Sequence, residues 1–280
     1  MKHIVLNDNT KLPIVGFGTY KATEQEGIES VKHALQSGYG LIDTAAAYEN
    51  EKAVGKGIKA SGVNREEVKV TTKLWRENLG YESTKKELEN SLNRLNLDYI
   101  DLYLIHWPAN SKNYDNWQKT NAETWRAMEE LQSEGKIKSI GVSNFFEEHL
   151  KALFKTANVV PAVNQIEFHP GYWQPKLVEY CKTYNIAVES WSPLARGKVF
   201  ENETLKNIAE AHNTSVAKIC LRWIVQHNVI VIPKSTTKER IEENLKLFDF
   251  ELTNAEMHQI NELPQMGFSG ELPNLWPDKV

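Results

Sequence analysis

The 280 residues carry 33 Lys and Arg against 37 Asp and Glu, a formal net charge of -4, with 41% hydrophobic and 25% charged residues. This balance fits an ordinary globular protein and excludes the disordered, collagen-like and disulfide-rich classes, and the mixed charge offers no footprint for nucleic acid. No apolar run approaches the roughly 18 residues needed to cross a bilayer, and the opening Met-Lys-His-Ile-Val-Leu lacks the long apolar segment of a secretion signal, so no membrane partner and a cytoplasmic location are expected.

In chain order, the first feature is a polar centre, Asn7-Asp-Asn-Thr10, flanked by the apolar arms His3–Leu6 and Lys11–Leu12. That pattern predicts a small hairpin able to cap one end of a larger fold. Eight short β-branched runs follow: Ile14–Thr19, Gly40–Ala45, Val68–Trp75, Tyr99–Pro108, Ile137–Asn144, Ala162–Phe168, Ile186–Leu194 and Val229–Ser235. Between them lie amphipathic patterns at Ile28–Ser37, Thr84–Leu95, Glu123–Glu134, Glu147–Thr156 and Leu177–Tyr184, and the last run leads into Lys238–Leu247. Strands alternating with helix-length segments imply parallel βαβ units. Eight such units are the number that closes a (β/α)8 TIM barrel, with a doubly wound open sheet as the alternative. Gly16-Phe17-Gly18-Thr19 lacks the third glycine of a Rossmann turn, which favours the barrel. No linker composition divides 1–280, so a single domain is expected. The segment from about Pro264 to Val280 reads as a loop over the barrel mouth. Cys181 and Cys220 fit neither a disulfide framework nor a zinc site and are read as buried thiols.

Barrel active sites form at the carboxyl ends of the strands. Asp43 ends the second strand and Tyr48 follows it, while Lys73 and His106 stand near the ends of the third and fourth. Each alone has a bland reading as a cap, a strand end or a loop aromatic. Lys73, however, lies in the apolar "VTTKLW", where an unpaired ammonium is costly, and Asp43 is the counter-ion a neighbouring strand provides. Such a quartet suits proton donation by a phenol. Tyrosine has an ordinary pKa of about 10, so its anion needs stabilising, which Lys73 would supply, with His106 orienting a carbonyl oxygen. No Ser-His-Asp, Cys-His or metal-ligand arrangement accompanies these residues, so an external hydride donor is the economical partner.

The chain resembles the aldo-keto reductase superfamily over essentially its whole length, through "GFGTYK", "IDTAAAYENE", "TTKLW", "DLYLIHWP", "IGVSNF", "VNQIEFHP", "ESWSPLARG" and "IPKSTTKERIEEN". The resemblance implies a (β/α)8 barrel that binds NADP(H) and reduces aldehydes and ketones. It makes Tyr48 the general acid, tuned by Lys73 and Asp43, and His106 the residue orienting the carbonyl. It further implies that Ser143, Asn144 and Gln165 bond the nicotinamide carboxamide, and that Trp191 stacks on the ring where the family more often has tyrosine. Ser192, Leu194 and Arg196 would run beside the pyrophosphate, and Gly18, Thr19 and Tyr20 would approach the nicotinamide end. Lys234, Ser235, Thr236 and Arg240 would take the 2′-phosphate, with Glu243 and Asn244 near the adenine, which favours NADP over NAD. Tyr20, Trp75, His106 and Trp107 would line the substrate pocket, while the 110–120 loop and the tail around Phe268 and Trp276 are placed to close over it. Within the family the chain is most similar to bacterial reductases of glyoxal and methylglyoxal, with sugar-derived diketone reductases near by, and relatives of this kind are monomers or weak dimers. Three other readings compete: a metal-dependent hydrolase built on His106, Glu167 and His169, a non-catalytic NADP-binding subunit, and a binding barrel with no cofactor.

Overall fold

The computed structural model describes residues 2–279. The chain opens with an antiparallel hairpin of β1 (His3–Val5) and β2 (Lys11–Pro13). Eight parallel strands follow in sequence order: β3 (Phe17–Gly18), β4 (Leu41–Asp43), β5 (Lys69–Leu74), β6 (Ile100–Ile105), β7 (Ile137–Ser143), β8 (Val163–Glu167), β9 (Ala187–Trp191) and β10 (Ile230–Val231). The first and last meet: Val15 bridges Val231 in parallel, Val231 N–H donates to Ile14 O at 2.9 Å, and Gly18 N–H donates to Pro233 O at 3.1 Å. These bonds close the sheet into a (β/α)8 barrel. At the seam the regular strands are much shorter than the runs 14–19 and 229–235. Pro233 has no N–H to offer and the pairing there proceeds through single bonds.

Around the sheet lie α1 (Glu24–Gln36), α2 (Glu51–Ser61), α3 (Tyr81–Leu95), α4 (Trp117–Ser133), α5 (Glu147–Leu153), α6 (Pro175–Thr183), α7 (Glu203–Ala211), α8 (Val216–Gln226), α9 (Lys238–Glu243) and α10 (Asn254–Asn261). Side chains of each strand alternate between the helical layer and the barrel interior. Thr72 faces outward, its hydroxyl donating to Glu51 on α2 at 2.6 Å, and the next residue, Lys73, faces inward with no exposed surface.

Helix α2 escapes periodicity because glycines interrupt its pattern, and packing explains them. A Cβ on Gly55 would stand 2.1 Å from the carbonyl oxygen of Leu95, and one on Gly57 would stand 2.9 Å from that of Ile28. Helices α1 and α3 approach α2 so closely that only glycine fits, which outweighs its low helix propensity.

The hairpin lies at the end of the barrel opposite the strand tips, where Asn7 donates to Pro161 O (3.0 Å) and the Ser139 hydroxyl to Thr10 (2.9 Å). At the other end the tail crosses the mouth. Both cysteines are buried, with burial pushing the Cys181 thiol up to about 11. Among the described residues no helix is long and apolar enough to cross a membrane.

Candidate active site

Strand β4 delivers Asp43 into the barrel, and a single 3-10 turn, Ala46–Tyr48, carries Tyr48 back over it. The intervening loop is fixed from beneath: the Thr44 hydroxyl donates to Asn50 (2.8 Å), and Asn50 donates to Thr19 O (2.8 Å). Lys73 reaches up from β5 and spends its three protons on Asp43 Oδ1 (2.6 Å), Thr44 O (2.9 Å) and the Tyr48 hydroxyl (3.3 Å). Asp43 turns its other oxygen to the amide of Gln165 (2.9 Å). The rings of Tyr48 and His106 meet edge to face at 5.6 Å, and Trp75 meets His106 in the same way at 5.2 Å. The four residues the sequence singled out therefore share one site.

Its electrostatics are those of a dry ion pair. Burial works against the Lys73 ammonium, yet Asp43 and Tyr48 more than offset that and hold it above its ordinary value. Burial pushes the Asp43 carboxyl up against the pull of Lys73. For Tyr48 burial outweighs the lysine and the phenol is pushed up to about 12. Stabilisation of the phenolate by Lys73, acting alone, would leave Tyr48 a stronger acid than a free phenol. In this protein the ammonium only moderates a larger desolvation effect. His106 is held well below its ordinary value, first by burial and then by Lys73, so its ring is neutral. Its Nδ1 is buried without a partner. An unpartnered N–H costs more than an unpartnered lone pair, which leaves Nε2 to carry the hydrogen.

The site opens into a cavity of about 990 Å³ lined by Gly18, Tyr20, Asp43, Tyr48, Trp75, His106, Trp107, Asn144, Gln165, Trp191, Ser192, Leu194, Arg196 and Lys234, all anticipated, by Trp276 of the tail expected to close over the mouth, and also by Lys21 and Glu271. The cavity has two characters. Trp75, Trp107 and Trp276 form an aromatic wall near His106, the last two stacked at 4.7 Å and 11°. Lys21, Arg196 and Lys234 supply cations elsewhere in the lining.

Other expected residues stand elsewhere. The Thr19 hydroxyl is buried beneath the strand tips and donates to Asp43 O (2.9 Å). Ser143 lies behind the lining, donating to Gln165 O (2.8 Å) and accepting from Asn144. The Asn144 amide is engaged at both ends, giving protons to His106 O (2.9 Å) and Ser143 and accepting one from the Trp191 indole (2.8 Å). Ser235 accepts from Thr237 N–H, Thr236 and Arg240 are exposed, Glu243 accepts from Ser215 (2.9 Å), and Asn244 is buried at the end of α9. These last five lie outside the cavity lining.

His169 and Glu167, the core of the metal reading, are occupied with each other and with the tail. His169 Nδ1 lies 3.0 Å from Pro170 O and Nε2 3.3 Å from Glu167, while Glu167 accepts from Ser269 N–H (3.0 Å) and the Ser269 hydroxyl (2.7 Å). Among the described residues no group of three or more His, Cys, Asp or Glu is arranged to hold a metal ion.

The tail is held at further points, two of them bonds from Asn110 to Pro273 O and Trp276 O at 2.8 and 3.0 Å. Arg196 pairs with Glu271 (3.2 Å), linking the loop after β9 to the tail. The signals for these contacts were faint: a lone aspargine after a proline-alanine pair and an acidic residue among Gly, Ser and Leu. The acid most easily overlooked is Glu189, which interrupts the apolar run of β9 two residues before Trp191 and points inward beside Gln165.

A model of the aldo/keto reductase family matches residues 14–265. The glyoxal reductase of Bacillus subtilis (strain 168) is 50% identical over 261 residues, covering 93% of this chain and 92% of that protein. Methylglyoxal reductase DkgA of Escherichia coli (strain K12) is 43% identical over 264 residues, covering 94% and 93%. The crystal structure of a variant of Gox0644 in complex with NADPH superposes with a TM-score of 0.90 at 40% identity, covering 98% of this chain and 97% of that one.

Proposed function

The chain belongs to the aldo/keto reductase family, and we propose on that premise that it reduces small aldehydes and ketones, glyoxal and methylglyoxal among them, with NADPH as the reductant. The observation that carries the reading is the contact of the Tyr48 hydroxyl with Lys73 at 3.3 Å, backed by Asp43 and placed beside His106 on the wall of the cavity. Bound NADPH would supply the hydride. Several features of the cavity fit it. The Gln165 side-chain oxygen Oε1 has no donor among the described residues and suits a carboxamide N–H. Trp191 offers an indole face, half-buried and fixed by Asn144. Lys21, Arg196 and Lys234 suit phosphates, with Ser192 and Leu194 lining the same stretch.

The chain's own groups then do the following. His106 Nε2–H and the Tyr48 hydroxyl donate to the substrate carbonyl oxygen and polarise it. As negative charge grows on that oxygen it becomes a stronger base than phenolate, so a phenol with a pKa near 12 can still pass its proton across. Lys73 stabilises the phenolate left behind, and Asp43 keeps the ammonium charged and aimed. Trp75, Trp107 and Trp276 exclude water from the reacting carbonyl. Lys234, Ser235, Thr236 and Arg240 are read as holding the 2′-phosphate, with Glu243 and Asn244 toward the adenine. The reading extends to a cytoplasmic, single-domain protein that is a monomer or weak dimer, as relatives of this kind are.

The test is NADPH oxidation by the purified protein with methylglyoxal and then a panel of aldehydes, with NADH in parallel. Rapid NADPH-selective turnover supports the reading. Quenching of tryptophan fluorescence by NADPH with no carbonyl consumed would replace it with that of a binding subunit.

A further inference from the structure

The barrel interior holds one more acid than the ion pair requires. Glu189 on β9 has no exposed surface, and in the strand register it stands directly beside Gln165 on β8. Its Oε1 accepts from Gln165 Nε2 at 2.5 Å, while its Oε2 is buried with no partner. The other proton of the same amide goes to Asp43 Oδ2 at 2.9 Å. Gln165 thus gives its two amide protons to two different acids, and its side-chain oxygen Oε1, on the cavity lining, has no donor among the described residues.

We propose that Glu189 is a positioning residue for the nicotinamide: as a neutral carboxylic acid it fixes, with Asp43, the orientation of the Gln165 amide so that the amide oxygen is presented to the cofactor carboxamide. This inference rests on the cofactor reading above. An amide flipped by half a turn would set its oxygen against the oxygens of Asp43 and Glu189, with no proton between it and Asp43. With Glu189 removed, only one of the two acceptors remains, and the flipped or swung-out amide is penalised far less. The acid form follows from its setting. An ionised Glu189 would place a second carboxylate beside Asp43 in a dry interior that holds one ammonium, Lys73, already bonded to Asp43, Thr44 and Tyr48. Burial, and then Asp43, push the Glu189 carboxyl up to about 8. Glutamine is the neutral isostere of that form: it keeps an acceptor for Gln165 and an unpartnered group where Oε2 lies.

The test compares binding of NADPH with binding of 2′-phospho-ADP-ribose, which shares every part of the cofactor except the nicotinamide, by isothermal titration calorimetry. Glu189→Leu and Glu189→Met both delete the acceptor while filling its space, so the outcome does not hang on one variant folding. Each is expected to weaken NADPH about ten-fold, the scale of one buried hydrogen bond, and to leave 2′-phospho-ADP-ribose within about two-fold. Glu189→Gln should restore NADPH affinity. Unchanged NADPH affinity in the Leu and Met variants, equal losses for both ligands, or a Gln variant as weak as Leu would each overturn the assignment. Wild-type protein that binds neither ligand would instead overturn the cofactor reading on which it rests.

Discussion

Replacing Lys73 by methionine removes the ammonium while keeping the length of the side chain, and the structure sets the scale of the effect. Lys73 is wholly buried and bonds Asp43 at 2.6 Å, and Asp43 is itself 2% exposed. Removing one partner of a buried pair strands the other charge, which costs roughly 3–5 kcal/mol. Asp43 then keeps only the Gln165 proton, and its carboxyl, already pushed up by burial, must either stay charged without its partner or take up a proton at a cost in stability. Adding Asp43→Asn removes the stranded charge and leaves an acceptor for Gln165, so the double variant should regain about 2 kcal/mol over Lys73→Met. Turnover should behave differently. The ammonium at 3.3 Å from the phenol acts on charge that develops during reaction, and loss of such a donor costs about 10² to 10³ in kcat. Both variants should be slow to that degree, because neither has a cation beside Tyr48. Urea unfolding followed by tryptophan fluorescence and kcat with methylglyoxal, on the wild type, both single variants and the double, provide the comparison. A Lys73→Met protein as stable as wild type, or a double variant no more stable than Lys73→Met, would refute the buried-pair argument. Wild-type turnover in either would refute the role given to Lys73.

Three further outcomes follow from other parts of the site. Arg240→Ala should weaken NADPH by about ten- to a hundred-fold in a fluorescence titration and leave NADH almost unchanged, since a charge-assisted bond to a dianion is worth roughly 1.5–3 kcal/mol; equal losses would remove the 2′-phosphate assignment. Trp276→Ala breaks the stack on Trp107 at 4.7 Å and should raise KM for aromatic aldehydes several-fold more than for methylglyoxal, whereas parallel changes would mean that the tail does not contact substrate. Glu189 makes stability depend on pH. Its folded value of about 8 lies above the ordinary 4.5, so the folded state holds a proton that the unfolded chain releases between those limits. The contribution is fully favourable below pH 4.5 and declines by roughly 1.4 kcal/mol per pH unit until about pH 8. In thermal unfolding Glu189→Gln should gain steadily on wild type from pH 5 to 8, and a constant difference would show that Glu189 does not titrate there.

The barrel was legible because burial on both faces leaves its strands as β-branched runs, and eight such runs separated by helix lengths admit few folds. Helix α2 was not, since Gly55 and Gly57 answer to the backbones of Leu95 and Ile28 rather than to helix propensity. Helices α7, α8 and α10 also went unmarked, although Asn202, Ser215 and Thr253 accept from backbone N–H groups at their starts. The quartet could be read because an ionisable residue inside an apolar strand must have a partner, and Asp43 was in place to serve Lys73. The state of Tyr48 could not be read in the same way: whether burial or the lysine prevails depends on depth in the barrel, which spacing does not reveal. Glu189 satisfies the same rule as Lys73, yet its partner is the neutral Gln165, and a search for opposite charges passes over it. The Arg196–Glu271 pair joins residues 75 apart through a tail with no periodicity, so only the folded chain brings it together.

The central claim is that Tyr48 gives its proton to the substrate oxygen. The most direct measurement is a single turnover of Tyr48→Phe with methylglyoxal, after NADPH binding to that variant has been confirmed by fluorescence quenching. Phenylalanine keeps the ring against His106 and Tyr20 and removes only the hydroxyl bonded to Lys73. The account predicts NADPH affinity within about two-fold of wild type and a hydride-transfer rate lower by about 10² to 10⁴. A variant that binds NADPH and reduces methylglyoxal at close to the wild-type rate would contradict it.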